Sequence, residues 1–155
     1  MTAPSSTELV TDLAGLLAQP ERSLGHTDWA EMTQEQVDRF ADLTGDHNFI
    51  HVDPERARTT PFGGTIAHGL LTLSLLAPVT QRLLVTDAAV SINYGLDRLR
   101  FPSPLRVGDR WRGTADVLET SEIPGGVQAK VRATIEIEGS EKPAAVADFV
   151  LRYYA

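Results

Sequence analysis

The sequence predicts an α+β fold: a single domain in which one long buried helix packs on an antiparallel sheet of about five strands. Three observations predict it. From Leu70 to Val79 only Thr72 and Ser74 are polar, so a helix there is apolar on nearly every side and belongs in a core. From Val127 to Ile137 apolar and polar residues alternate without a break, which is the period of a half-buried antiparallel strand. Turn signals at Pro124-Gly125-Gly126 and Gly139-Ser140 bracket that strand, and strand-like runs lie on either side, so a meander follows the helix.

The elements follow in chain order. Leu9, Leu13, Leu16 and Leu17 recur at helical spacing and predict a short amphipathic helix, stopped by Pro20, inside an N-terminal helical extension over residues 1–22. Thr33-Gln34-Glu35-Gln36 reads as a capping box, with Thr33 as N-cap and Gln36 reaching back to it. Val37, Phe40, Ala41 and Thr44 share a face behind it, so a helix runs from about Gln34 to Leu43 and stops near Gly45. Asp46 to Ala67 reads as a long loop punctuated by Pro54, Pro61 and Gly63-Gly64, with one helical turn around Pro54–Arg58. The buried helix opens at His68-Gly69, and Pro78 is expected to kink or end it. Four further strands are expected at Ala88–Tyr94, Leu96–Phe101, Arg110–Ile123 and Ala144–Tyr154.

Composition excludes several classes of function. The 155 residues give a prior of one domain, 1–155. There is no cysteine, so neither a disulfide framework nor a thiol nucleophile is available. A formal net charge of −7 argues against nucleic acid or an anionic membrane as partner. The most apolar stretch, Gly69 to Val79, is about half the length a membrane-spanning helix needs. The N-terminus lacks the basic region of a signal peptide, so a cytoplasmic protein is expected.

The densest polar constellation runs Thr44-Gly45-Asp46-His47-Asn48-Phe49-Ile50-His51-Val52-Asp53-Pro54. Asp46 and His51 sit five apart after a helix, where a loop can turn both toward one water. A carboxylate and an imidazole suit acid–base work, since one accepts a proton while the other donates. Asn48 between them is placed to orient either group. The plainer reading makes Asp46 a cap of the next turn and His51 a satisfied polar group. His47, His51 and Asp53 are close in sequence, but the segment reads as loop without a His-Glu-x-x-His pattern, so no metal site is expected.

That run, followed by Ile66-Ala67-His68-Gly69-Leu70, resembles the MaoC-like family of (R)-specific enoyl-CoA hydratases. The resemblance continues through Ile92–Leu96, Arg100-Phe101-Pro102-Ser103-Pro104-Leu105 and Val107-Gly108-Asp109, and it spans roughly Trp29 to Tyr154. Within the family it is similar to the single-domain mycobacterial type. It implies a hot-dog fold, a long central helix wrapped by an antiparallel sheet, paired into a homodimer.

The family resemblance implies that Asp46 and His51 are catalytic and hold the water that adds to the β-carbon of a trans-2-enoyl thioester. A proton reaches the α-carbon on the same face, giving an (R)-3-hydroxyacyl thioester, and no cofactor is required. Gly69 falls where a backbone N–H meets the thioester oxygen, which gathers charge as an enolate forms. A glycine opening a helix fits this, since free N–H groups and the positive dipole end point outward there. Asn48 matches the residue that helps hold the catalytic loop. Phe49 departs from the pattern, which commonly has proline after the asparagine.

Weaker candidates remain. His68 precedes Gly69 and reads either as a substrate contact or as a helix-start residue bonded to nearby backbone. Arg98, Arg100, Arg106, Arg110 and Arg112 crowd one stretch and suit the phosphates of coenzyme A, or a solvated face paired with Asp97, Asp109 and Asp116. Thr72 and Ser74 either line a tunnel or bond back to helix carbonyls. The expected partner is an acyl thioester of coenzyme A or of an acyl carrier protein. Two other readings of function stand beside hydration: a hot-dog thioesterase and a non-catalytic acyl-thioester-binding subunit.

Overall fold

The computed structural model describes residues 9–18 and 21–155. Pro20 and the first eight residues of the expected N-terminal extension lie outside the described residues. The chain begins with strand β1 (Leu9–Thr11) and helix α1 (Leu13–Ala18). The expected N-terminal helix therefore starts one turn late. Leu9–Thr11 is instead drawn into a parallel ladder with β4 (Leu84–Thr86). The Asp12 carboxylate accepts the Gly15 N–H at 2.6 Å and opens the short helix behind it.

Strands β2 (Arg22–His26) and β3 (Ala30–Glu31) precede α2 (Gln34–Thr44), whose start is the capping box read from sequence. Thr33 Oγ1 accepts the Gln36 N–H, and the Gln36 side chain accepts the Thr33 N–H. Gly45 closes α2 at φ 80°, a left-handed conformation that glycine adopts without cost. The stretch expected as loop holds two short helices, α3 (Phe49–Val52) and α4 (Pro54–Ala57). Asn48 and Asp53 cap them, and Pro54 occupies a first-turn position where its missing N–H costs nothing.

Helix α5 (Gly69–Leu83) is the central element. It packs across the sheet formed by β5 (Val90–Arg100), β6 (Arg110–Ile123), β7 (Gly126–Ile137), β8 (Ala145–Tyr154) and the two early strands. The sheet is antiparallel in the order β2-β6-β7-β8-β5, with β3 also paired to β6. In β7 every apolar residue of the alternating run is buried and every polar one is not, as its period predicted. Ala145, Ala147, Phe149, Leu151 and Tyr153 of β8 complete the same inner face.

Three expectations needed correction. Ala88–Tyr94 and Leu96–Phe101 form one strand, β5, which passes Gly95 through a local register shift. Helix α5 does not end at Pro78; it continues to Leu83, because Pro78 lies on an exposed side where the carbonyl it leaves free can meet water. Nor is α5 buried all round. Leu71, Leu76, Val79 and Leu83 are covered, but Leu70 is 61% exposed.

Candidate active site

The loop after α2 and the start of α5 converge at one place. Asp46 follows the Gly45 cap, and its Oδ1 accepts the Asn48 N–H at 3.3 Å. Asn48 in turn uses its Oδ1 to accept the Ile50 N–H, which opens α3. This turn carries His51 inward to 7% exposure while Asp46 stays at the surface. His51 Nδ1 donates to the Ile66 carbonyl at 2.7 Å, so the other ring nitrogen, Nε2, carries the lone pair in the neutral ring. A carboxylate oxygen of Asp46 and a ring nitrogen each of His51 and His68 lie within 4.8 Å of one another. A water molecule fits such a gap and can bond to both sides.

Electrostatics favours the neutral imidazole. Burial, as the largest influence, holds His51 below its ordinary value of 6.5, and His68 adds to this. The bond to the Ile66 carbonyl and the charge of Asp46 push the other way. His51 is thus a base whose lone pair stays available as the solution turns mildly acidic.

The same three side chains are close enough to be considered as metal ligands, a different set from the His47, His51 and Asp53 of the sequence. The rings of His51 and His68 are stacked, with centroids 3.8 Å apart and planes 27° from parallel. Lone pairs lie in the ring planes, so two nearly parallel rings aim theirs alongside each other and do not converge on one ion. The arrangement suits proton transfer better than ligation.

Gly69 begins α5 with no side-chain cap from His68, and it lines an apolar cleft. That cleft, about 280 Å³, is lined by Phe62, Ile66, Ala67, Thr72 and Phe101 beside Gly69. A Cβ at Gly69 would come within 3.1 Å of the Phe101 ring, so a side chain there would narrow the approach to the helix end. A second cavity of about 230 Å³ lies at the other end of α5, among Ala77, Thr80, Asn93, Phe149, Leu151 and Tyr153. Burial pushes the Tyr153 hydroxyl up to about 12, so it stays a neutral group in that cavity.

The structure separates the arginines. Arg110 pairs with Glu138 and Arg112 with Glu136 across β6 and β7, and both guanidiniums lie over the Trp29 ring. Their partners are these glutamates and not the nearby aspartates; Asp97 holds Lys130, and Asp109 accepts the Arg106 backbone N–H. Arg98 and Arg100 are exposed on β5, with Arg100 Nη1 bonded to the Leu99 carbonyl. They lie opposite Asp148 and Val146 of β8, while Phe101, next along the chain, lines the Gly69 cleft. Among the described residues neither has a carboxylate within ion-pair distance.

His68 is 3% exposed and reaches neither solvent nor its own helix: its Nε2 meets the backbone carbonyl of Asp46 at 2.9 Å. Thr72 and Ser74 bond back to the His68 and Leu70 carbonyls, as serine and threonine in helices often do. His47 bonds to exposed Asp42, away from the cluster. Phe49, in the usual proline position, is the first residue of α3, where a proline would fit equally; its ring lies 3.8 Å from the Arg56 guanidinium.

Sequence reading missed Gln34. Its Nε2 donates to the His51 carbonyl at 2.7 Å and to Asp38 at 2.8 Å, while its Oε1 accepts the Thr65 hydroxyl at 2.6 Å. One amide thereby ties the start of α2 to the segment that carries His51 and to the stretch of chain leading into α5. These partners are 17 and 31 residues away, so no local pattern announces the role.

Comparison with known proteins agrees with the fold. The chain is 48% identical over 150 residues to the 3-hydroxyacyl-thioester dehydratase Z of Mycobacterium tuberculosis, covering 96% of this chain and 97% of that protein. It is 32% identical to the (R)-specific enoyl-CoA hydratase of Rhodospirillum rubrum, over 70% of this chain and 72% of that one. The solved (R)-hydratase of A. caviae involved in PHA biosynthesis superposes with a TM-score of 0.65 at 30% identity, over 83% of this chain and 95% of that one. Residues 16–139 match the MaoC like domain, and the chain belongs to that family.

Proposed function

We propose that this chain is an (R)-specific enoyl-CoA hydratase, a hydro-lyase that reversibly adds water across a trans-2-enoyl thioester, with Asp46 and His51 as its acid–base pair. The observation that carries the reading is the 4.8 Å cluster in which the Asp46 carboxylate faces a buried, neutral His51 next to the uncapped end of α5. In the forward direction, water held between them loses a proton to His51 Nε2 as its oxygen bonds to the β-carbon. The π electrons shift toward the thioester oxygen, which the Gly69 N–H stabilises. The α-carbon then takes a proton from the pair, and the sites return to their starting state. Both new bonds form on one face because water and proton come from one side of the substrate.

Asn48 supports this by holding the loop between the two groups, and Arg98 and Arg100, exposed on β5, are our candidates for the phosphates of the thioester carrier. The working unit in this reading is a homodimer. Edge strand β5 supports it, since among the described residues β8 is its only ladder partner and Val90, Ile92 and Tyr94 on it are all exposed.

The test is an assay of purified protein with crotonyl-CoA, following loss of the conjugated enoyl absorbance with chiral analysis of the product. (R)-3-Hydroxybutyryl-CoA is expected. Release of free thiol would make the chain a thioesterase instead. Tight binding of several enoyl-CoAs without turnover would make it a binding subunit.

A further inference from the structure

His68 is a buried imidazole that the hydration step itself does not use. Three contacts define its place. Its Nε2 meets the Asp46 backbone carbonyl at 2.9 Å, and since a carbonyl only accepts, Nε2 carries the proton. Its ring lies against His51, centroids 3.8 Å apart. On another side the Phe40 ring of α2 touches it, at 5.0 Å and a 49° tilt. Its remaining nitrogen, Nδ1, is buried without a hydrogen-bond partner among the described residues, which costs stability and needs a compensating reason.

We propose that His68 is a positioning residue that sets the distance between the two catalytic groups, holding the Asp46 backbone with Nε2–H while its ring face fixes the plane of His51. The inference rests on the acid–base reading of Asp46 and His51. Asp46 sits on an exposed loop and His51 on a four-residue helix, and neither is a rigid platform alone. His68 is the cap residue of the fifteen-residue α5, anchored in the core. One side chain thus references both catalytic groups to the helix that also carries Gly69. The titratable groups facing His51 are Asp46 from the loop and His68 from α5, while α2 presents the neutral Gln34.

Two substitutions separate the contacts. His68→Phe keeps a flat ring against His51 and removes the N–H that holds Asp46; His68→Gln keeps a donor of similar reach. His68→Phe is expected to lower kcat by ~10–100-fold, the scale of an ångström-sized misplacement, with KM within ~3-fold of wild type. His68→Gln is expected to recover most of that loss. Nitrogen-15 NMR of the wild-type histidines gives a second test that needs no variant: His68 is expected protonated at Nε2 and His51 at Nδ1. Wild-type kcat in His68→Phe, or a His68 proton on Nδ1, overturns the proposal. Asp46→Asn and His51→Ala, run alongside, keep the two readings apart. Undiminished activity in those overturns the acid–base reading, whereas their loss with His68→Phe fully active overturns only the positioning role.

Discussion

His51 is kept neutral by its surroundings, and this has consequences for both rate and stability. A folded-state pKa below 6.5 means the unfolded chain binds the proton more readily than the folded one. The stabilising contribution is therefore complete above pH 6.5 and is lost as the pH falls through the folded value. Urea midpoints measured at pH 7.5 and pH 5 should drop toward acid, and the drop should shrink in His51→Gln. Exposed His47, raised by Asp42, shifts in the opposite sense, so the difference between wild type and that variant is the quantity to read. In catalysis, Asp46→Asn and His51→Ala should each lower kcat by about 10²–10⁴-fold, the usual value of a positioned acid or base, with unchanged circular dichroism. These two residues stood out in the sequence because the motif that holds them is local. The bond from His51 to Ile66 and the burial that tune it were not, since they depend on chain fifteen residues further on.

Between elements, the site depends on how closely α5 approaches the sheet and how firmly α2 is tied to the loop. At Gly113 of β6 a Cβ would collide with all three carbons of the Val79 side chain, Cβ and both methyls. Valine in a helix has essentially one rotamer and cannot swing aside. Gly113→Ala should therefore destabilise the fold by about 1–3 kcal/mol in urea titration, even though alanine usually improves a strand. Gln34→Leu should cost about 1–3 kcal/mol by leaving the Thr65 hydroxyl and the His51 carbonyl without their partner. It should also reduce kcat, since both partners border the site. Helix α2 and strand β7 could be read directly from sequence. The first has its capping box within four residues, and the second sits between core and solvent, which gives it a clean period of two. Strand β5 resisted such reading for the opposite reason. Most of its residues are exposed on both faces of the single chain, so no burial period marks it, and the register shift at Gly95 breaks what alternation remains. Two-residue β3 is too short to carry any pattern.

For the whole molecule, the open side of β5 is the feature an isolated chain leaves unresolved. Among the described residues, no strand pairs with the outer edge of the eleven-residue β5, and Val90 at 51%, Ile92 at 45% and Tyr94 at 59% exposure lie along it. Long apolar edges of this kind drive association unless they are covered. Exposed Leu70 on α5 and Phe101 beyond β5 extend the apolar surface to the mouth of the Gly69 cleft. A second copy joined edge to edge through β5 would continue the sheet across both chains and shield these residues at once. Light scattering coupled to size exclusion should then give twice the 16.9 kDa chain mass. Ile92→Lys, which places a charge on the edge without touching the core, should shift the equilibrium to monomer. If the apolar surface near the cleft is covered by the partner, the monomeric variant should bind acyl thioester less tightly, read as a rise in KM. A single-chain mass for the wild type would rule out this assembly, and a monomeric Ile92→Lys with unchanged KM would show that each chain holds a complete binding site.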